Sequence, residues 1–187
     1  SCGADIIKVG IGGGSVCTTR IKTGFGIPML TSIQECARVD RSIIADGGIR
    51  TSGDIVKALA FGADYVMIGS MLAGTRPSPG EVFTKIDAQG KEVKFKRYRG
   101  MASREVQEHY RGTMPQWKTA EGVSVEVAYK ENEEEIIADI IGGLRSGLTY
   151  AGAASVSELQ RKLDYVVVTH AGRVESLPHK TMSSSII

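Results

Sequence analysis

The chain has 187 residues, of which 42% are hydrophobic, and its 23 basic and 21 acidic residues give a formal net charge of +2. This length suffices for one core-forming domain, and a balanced charge without a long basic run argues against nucleic acid as a partner. The apolar runs at 65–68 and 71–73 are far shorter than the about 20 residues that cross a bilayer, so no membrane segment is predicted.

Strand and helix patterns alternate along the first 70 residues. Short apolar runs predict strands at 6–9, 43–45 and 65–68, each followed by a turn that contains glycine. A first helix is predicted to begin with Pro28 as its first residue, and a second between Ser52 as N-cap and Gly62 as the left-handed residue at its end. Such β/α units predict a parallel sheet covered by helices.

The pattern changes after Gly74. Two strands, 81–85 and 91–98, are predicted to form a hairpin around a turn at 87–90. The segment 101–122 mixes a short helix with glycine, proline and tryptophan and is interpreted as a movable flap. Helices at 133–148 and 155–163, a strand at 165–169 and a C-terminal tail at 170–187, frayed from 181 onward, complete the prediction.

The cysteines are Cys2, Cys17 and Cys36, which lack metal-ligand spacing and have no secretory signal before them. They favour a reducing, cytoplasmic setting. Cys17 differs from the other two because it lies in a glycine-rich loop, 10–20, directly after a strand. A thiol among backbone N–H groups can ionise and act as a nucleophile. Cys17 is therefore the candidate nucleophile, with an inert buried cysteine as the alternative, and Cys2 and Cys36 are interpreted as inert.

Four segments together resemble the IMP dehydrogenase and GMP reductase family, and the resemblance covers essentially the whole chain. They are the cysteine loop 12–19, the turn Asp46-Gly47-Gly48, the turn Gly69-Ser70 and the segment 98–101. The family fold implied is a TIM (β/α)8 barrel. Because such a barrel needs eight strands and about 250 residues, residues 1–187 are expected to be the C-terminal part of one barrel domain, which an N-terminal segment would complete. A small self-sufficient α/β fold is the alternative.

The resemblance also implies roles for individual residues. Cys17 would attack C2 of a purine nucleotide, GMP or IMP, and Thr19 and Glu121 would relay a proton. The residues expected to contact the substrate are Ser15, Asp46, Gly47, Gly48, Gly69, Ser70, Tyr98, Gly100, Met101, Lys118 and Gly122. Backbone carbonyls of Gly12, Gly14 and Cys17, with Glu175, Ser176 and Leu177 from a neighbouring subunit, would bind potassium. A homotetramer is expected.

Without the resemblance, some of these residues permit other interpretations. Asp46 could simply cap the turn that follows it. An Asp-Gly-Gly turn followed by a strand and glycine also occurs in FMN-binding barrels, so these motifs identify only a phosphate site.

Lys118 stands where the reductases have an arginine near the base. A lysine does not reproduce a planar guanidinium contact.

The family contains two reactions, and the flap distinguishes them. Dehydrogenases have a longer flap with an Arg-Tyr pair that activates water, whereas 19 residues without that pair separate Met101 from Glu121. This favours the reductase reaction, in which NADPH converts GMP to IMP and ammonia. Ser70 and the segment 175–179 resemble dehydrogenases instead, which keeps oxidation of IMP to XMP by NAD as the alternative. An FMN-type barrel and a non-catalytic half-barrel are further alternatives.

Overall fold

A computed structural model describes residues 3–178. Cys2 and the predicted tail from 179 to 187 lie outside the described residues. In chain order the elements of the first half are β1 (Ile6–Val9), α1 (Thr19–Thr23), α2 (Met29–Cys36), β2 (Ser42–Asp46), α3 (Ser52–Ala60), β3 (Tyr65–Met67) and β4 (Phe83–Ile86). Those of the second half are β5 (Glu92–Arg99), α4 (Arg104–Arg111), β6 (Ser124–Ala128), α5 (Glu133–Tyr150), α6 (Val156–Arg161) and α7 (His170–Glu175).

The first sheet consists of β1, β2 and β3 in that order, and all three are parallel. Its register pairs Val9 with Ala45 and Asp46 with Met67, so the carboxyl ends of the strands lie side by side. Parallel neighbours require a crossover connection, and the helices α2 and α3 supply it. The predicted β/α units are thus confirmed.

One face of this sheet forms the core. Ile33 of α2 and Ile43 and Ala45 of β2 are buried, together with side chains from α3, α5 and α6. Side chains alternate between the two faces of a strand, and the opposite face leaves Ile6, Tyr65 and Met67 about half exposed. The helices therefore cover one side of the strands only.

The second sheet is antiparallel, in the order β4, β5, β6. Asp87 begins the predicted hairpin turn, and its carboxylate accepts the N–H groups of Gln89 and Lys91 at 2.9 and 2.8 Å. Phe83 and Phe95 pair across β4 and β5, with ring centroids 6.1 Å apart. The hairpin is confirmed, and β6, which follows the flap, is an additional third strand.

Three local predictions need correction. α3 is capped by Thr51 rather than Ser52, because Asp54 lies three residues beyond Thr51 and the two exchange hydrogen bonds in a capping box. Pro28 is the N-cap of α2 and not its first residue. The predicted strand at 165–169 is wrong, since these residues form no regular structure and no described strand pairs with them. A β-branched run needs such a partner to become a strand.

Candidate active site

Two glycine turns meet at the carboxyl ends of β1 and β2. Gly10 has φ +128°, and a Cβ at this position would lie 2.0 Å from the Asp46 carbonyl oxygen. Gly47 has φ +104°, and its Cβ would lie 2.9 Å from the carbonyl carbon of Gly13. Only glycine permits both this conformation and this approach. The sequence therefore brings the cysteine loop and the Asp46 turn into backbone contact.

Cys17, Thr19 and Glu121 form a continuous hydrogen-bonded chain. The Cys17 thiol donates to Thr19 Oγ1 over 3.1 Å, and the Thr19 hydroxyl donates to Glu121 Oε2 over 2.8 Å. Cys17 and Glu121 are 104 positions apart in sequence, yet one hydroxyl links them. A proton held by the carboxyl group can thus reach the surroundings of the thiol through a single side chain.

Backbone hydrogen bonds hold the end of the flap against the cysteine loop. Thr18 N–H donates to the Glu121 carbonyl at 2.8 Å, and Val123 N–H donates to the Val16 carbonyl at 2.9 Å. Gly122, between these two bonds, forms bridges with Cys17 and Ser103. We call the paired segments 16–18 and 121–123 the seam. The seam fixes Glu121 relative to Cys17 independently of side-chain rotamers.

A polar cleft of about 350 Å³ opens beside the two glycine turns. Seven of the residues expected to contact the substrate line it: Ser15, Asp46, Gly47, Gly48, Gly69, Ser70 and Tyr98. The Ser15 hydroxyl lies 3.4 Å from the Tyr98 hydroxyl. Arg20 and Arg50 also line this cleft and bring positive charge to it, and the sequence interpretation assigned no contact to Arg50. The sequence signal for a role of Arg50 in this cleft was its position just after the Asp-Gly-Gly turn.

A second cleft, of about 380 Å³, lies between the cysteine loop and the flap. Cys17, Gly100, Met101, Glu121 and Gly122 line it, and it shares Gly13, Gly14, Asp46 and Tyr98 with the first cleft. Both volumes are in the range of small-molecule sites. The two adjoining clefts thus offer a polar compartment next to one that contains a thiol and a carboxyl group.

The sequence of residues 1–179 matches the profile of a family described as IMP dehydrogenase / GMP reductase domain. The chain belongs to this family. It is 48% identical to GMP reductase 2 of Homo sapiens in an alignment 171 positions long, which covers 89% of this chain and 48% of that protein. It is 45% identical to the inosine-5'-monophosphate dehydrogenase of Methanocaldococcus jannaschii in an alignment 195 positions long, which covers 95% of this chain and 38% of that protein.

Solved structures give the same result. A GMP reductase variant of Trypanosoma brucei in complex with guanosine 5'-monophosphate matches with a TM-score of 0.86 and 43% identity, over 96% of this chain and 37% of that one. An inosine 5'-monophosphate dehydrogenase of Legionella pneumophila matches with a TM-score of 0.75 and 75% identity, over 92% of this chain and 52% of that one. The chain spans about half or less of the curated relatives it matches.

Family membership establishes several coarser conclusions. The family consists of oxidoreductases of purine nucleotide metabolism that use a nicotinamide cofactor, and the described fold corresponds to part of a TIM barrel. In a barrel, the sheet face that exposes Ile6, Tyr65 and Met67 points to the interior. Within residues 3–178 no helix is both long and apolar enough to cross a lipid bilayer.

Lys8 is a residue that the sequence interpretation missed. It lies on the interior face of β1, and its ammonium group donates to the Asp46 carboxylate. The family resemblance implies that Asp46 binds the ribose hydroxyls, and the contact with Lys8 holds this carboxylate in one orientation. A lysine within an apolar strand was the only signal in the sequence.

Two groups of predicted residues lie away from both clefts. Lys118 donates to the Gln107 side-chain oxygen at 3.2 Å and lines a separate small cleft behind the flap helix. Glu175 ends α7, and Ser176 and Leu177 follow it in the turn, without a hydrogen bond to the cysteine loop. No group of three or more His, Cys, Asp or Glu side chains among residues 3–178 is arranged to hold a metal.

Proposed function

We propose that this chain carries the catalytic residues of a GMP reductase, which converts GMP to IMP and ammonia with NADPH. The hydrogen-bonded chain from Cys17 through Thr19 to Glu121 carries this proposal. Reductive deamination needs a nucleophile for C2 and a proton donor for the departing amine. Both groups face one cleft, and the hydroxyl between them provides the path.

In this mechanism the Cys17 thiolate forms a bond to C2 of GMP. The C2–amino bond then breaks, and Glu121 supplies the proton through Thr19 so that nitrogen leaves as ammonia. NADPH supplies the hydride that forms the C2–H bond, after which the C2–sulfur bond breaks and the thiolate is regenerated with IMP as product. The Cys17 thiolate is thus the nucleophile of the first step and the leaving group of the last, while the seam keeps the carboxyl group within reach.

The composition of the flap supports this direction of reaction. Hydrolysis of the same adduct would require a base that activates water beside Cys17. Two of the three flap carboxylates are already engaged elsewhere: Glu108 pairs with Arg104 at 3.3 Å, and Glu105 pairs with Arg99 at 3.4 Å. A hydrogen bond from Ser124, aided by Arg97 and Arg99, keeps the pKa of Glu105 below its usual value. Glu121 remains the carboxyl group directed at the cysteine loop.

The clefts also suit the proposed substrate. The polar cleft would hold the phosphate between Ser15, the glycine turns and Tyr98, and Asp46 would bind the ribose hydroxyls. Met101, Gly100 and Gly122 would then frame the purine in the second cleft. In this proposed arrangement C2 of the base would face Cys17. We propose a cytoplasmic location and assembly as a homotetramer. The remaining segments of the barrel would contribute to the dinucleotide site.

A monovalent cation fits the same loop. The Gly14 carbonyl accepts the Cys17 N–H at 3.1 Å, which uses one of the two lone pairs of that oxygen. The other lone pair, with the carbonyls of Gly12 and Cys17, could contact potassium, and Glu175, Ser176 and Leu177 of a neighbouring subunit would complete the set. A bound cation would hold the cysteine loop in one conformation.

One observation favours IMP dehydrogenase as a second candidate. The chain is 75% identical to a Legionella pneumophila chain described as an inosine 5'-monophosphate dehydrogenase, and Ser70 is typical of that branch. Both branches form the adduct on Cys17, so its presence alone does not separate them. The direction of the reaction, reduction of GMP or oxidation of IMP, separates the two branches.

The test supplies the purified full-length protein with each substrate pair. We expect GMP and NADPH to give IMP and ammonia in equal amounts, observed as loss of NADPH absorbance and by chromatography. IMP and NAD should give little XMP. Sustained XMP formation from IMP would overturn the reductase proposal in favour of the dehydrogenase. The protein should also be colourless, since bound FMN would make it yellow.

A further inference from the structure

The flap helix α4 carries a side chain whose two ends are both engaged in the flap. The Gln107 amide nitrogen donates to the Met101 carbonyl at 3.0 Å, and the Gln107 oxygen accepts from the Lys118 ammonium at 3.2 Å. The partners determine the orientation of the amide, because a carbonyl can only accept and an ammonium can only donate. Gln107 is therefore bonded at both ends in one rotamer.

These two contacts connect the outgoing and returning limbs of the flap. Met101 precedes α4, whereas Lys118 lies on the segment that returns to the seam. The limbs also meet where Glu121 N–H donates to the Ala102 carbonyl at 3.0 Å. Gln107 adds a second connection farther out, and the Ser103 side chain, which accepts Val106 N–H, fixes the start of the helix that carries it.

Met101, at one end of this connection, lines the cysteine cleft and is proposed to frame the purine. Lys118, at the other end, lines a separate small cleft, although the family resemblance places this position near the purine. Lys118 has a flexible stem and a single charged atom, so its position depends on what holds it. In the described structure Gln107 provides that contact.

We propose that Gln107 is a positioning residue for nucleotide binding. It sets the separation of the Met101 carbonyl and the Lys118 ammonium. In this way it sets the position of the flap over the second cleft, where the purine is proposed to bind. The Met101 carbonyl retains a lone pair for a donor on the base, since the amide of Gln107 uses only one. This inference rests on the proposed placement of the nucleotide, but it does not depend on which of the two reactions follows.

The test measures binding in the absence of chemistry. In a Cys17→Ala background, the dissociation constants for GMP and IMP are measured by titration calorimetry. Gln107→Met has nearly the same shape without the amide and should weaken binding about tenfold, the scale of one hydrogen bond to a charged group. In the protein that retains Cys17, the same change should raise KM and alter kcat less than about twofold. The control Glu108→Gln, on the next position of α4, should change neither constant.

Two charged substitutions distinguish the contribution of the Met101 contact from that of the Lys118 contact. Gln107→Glu retains an acceptor for Lys118 and loses the donor to Met101, whereas Gln107→Lys retains the donor and repels Lys118. We expect Gln107→Glu to bind GMP more tightly than Gln107→Met, and Gln107→Lys to bind it no better than Gln107→Met. Adding Gln107→Met to a Lys118→Met protein should weaken binding by less than it does alone.

Unchanged dissociation constants in Gln107→Met, or fully multiplicative effects of the two methionine substitutions, would overturn the positioning role. Melting temperatures of all variants, measured alongside, separate this result from unfolding. Failure of the reductase proposal has a different signature, because it would appear as XMP formation by the unsubstituted protein while the effect of Gln107 on IMP binding persisted.

Discussion

The two sheets of this chain are built in opposite ways. The parallel sheet buries Ile43 and Ala45 almost completely under helices, and its strands are connected through an apolar core. The antiparallel sheet and the flap bury fewer side chains and are joined to the parallel sheet by the backbone bonds of the seam. Cys17 belongs to the first region and Glu121 to the second. The proposed chemistry therefore exists only where the two regions meet.

This difference has a physical consequence. Burial of apolar side chains determines whether the parallel unit folds, whereas the seam determines whether Glu121, the proposed acid, lies near Cys17, the proposed nucleophile. Changes in the first region should appear mainly in stability. Changes at the seam should appear mainly in turnover.

The largest expected effect is at the nucleophile. Cys17→Ala removes the atom that forms the covalent bond and leaves the phosphate cleft intact, so turnover should fall at least about 1,000-fold, about 4 kcal/mol of barrier. GMP and IMP should still bind, as calorimetry would show. Activity above about a tenth of the original would contradict the role of Cys17. Iodoacetamide should label Cys17 before Cys36, and IMP should protect it.

A substitution in the seam should separate activity from stability. A Cβ at Gly122 would lie 2.9 Å from the Ser103 amide nitrogen and 3.3 Å from the Val16 carbonyl oxygen, so Gly122→Ala must displace this part of the seam relative to Ser103 and to the cysteine loop. Displacement by about 1 Å can reduce turnover about 100-fold, and the melting temperature should change little. The matched control is Gly142→Ala in α5, where a Cβ meets nothing within 4 Å. Equal activity of both variants would refute the proposed role of the seam in turnover.

The smallest expected effect is in the parallel unit. Partial burial, the largest single influence, opposes ionisation of Asp54, but the Arg50 N–H, Lys57 and Thr51 together hold its pKa below the ordinary 3.8. The stabilisation is thus complete above about pH 4 and is lost as the pH falls through the native value. Asp54→Asn should cost about 1 kcal/mol in urea unfolding at pH 7, and this difference should shrink at pH 3. Turnover at pH 7 should not change.

Much of this architecture was predictable from local sequence. Apolar runs that end at Gly10 and Gly47 predicted the strand ends, and Asp87 with Gly90 predicted the hairpin turn, because these signals depend only on neighbouring residues. The run at 165–169 misled, since whether a β-branched segment forms a strand depends on a partner elsewhere. The same limit applies to Lys8, whose partner Asp46 is brought close only by the fold.

The residues of the site can also be divided into those with a local sequence signal and those whose contacts depend on the fold. The glycines and Cys17 marked their own loop, and the family resemblance added Thr19 and Glu121, which the structure joins in one chain of hydrogen bonds. Lys118 was predicted beside the base, yet its contact is with Gln107. The roles of these residues in catalysis, and of Glu175 to Leu177 in cation binding, stay predictions.

The central claim is that Glu121 acts through Thr19 in the departure of ammonia. Its most direct test is a single turnover of the Glu121→Gln protein with GMP and NADPH, in which ammonia and IMP are quantified together. We expect ammonia release to slow about 100-fold, the scale of losing a general acid, with little change in the dissociation constant for GMP. Ammonia release at the original rate would contradict the account.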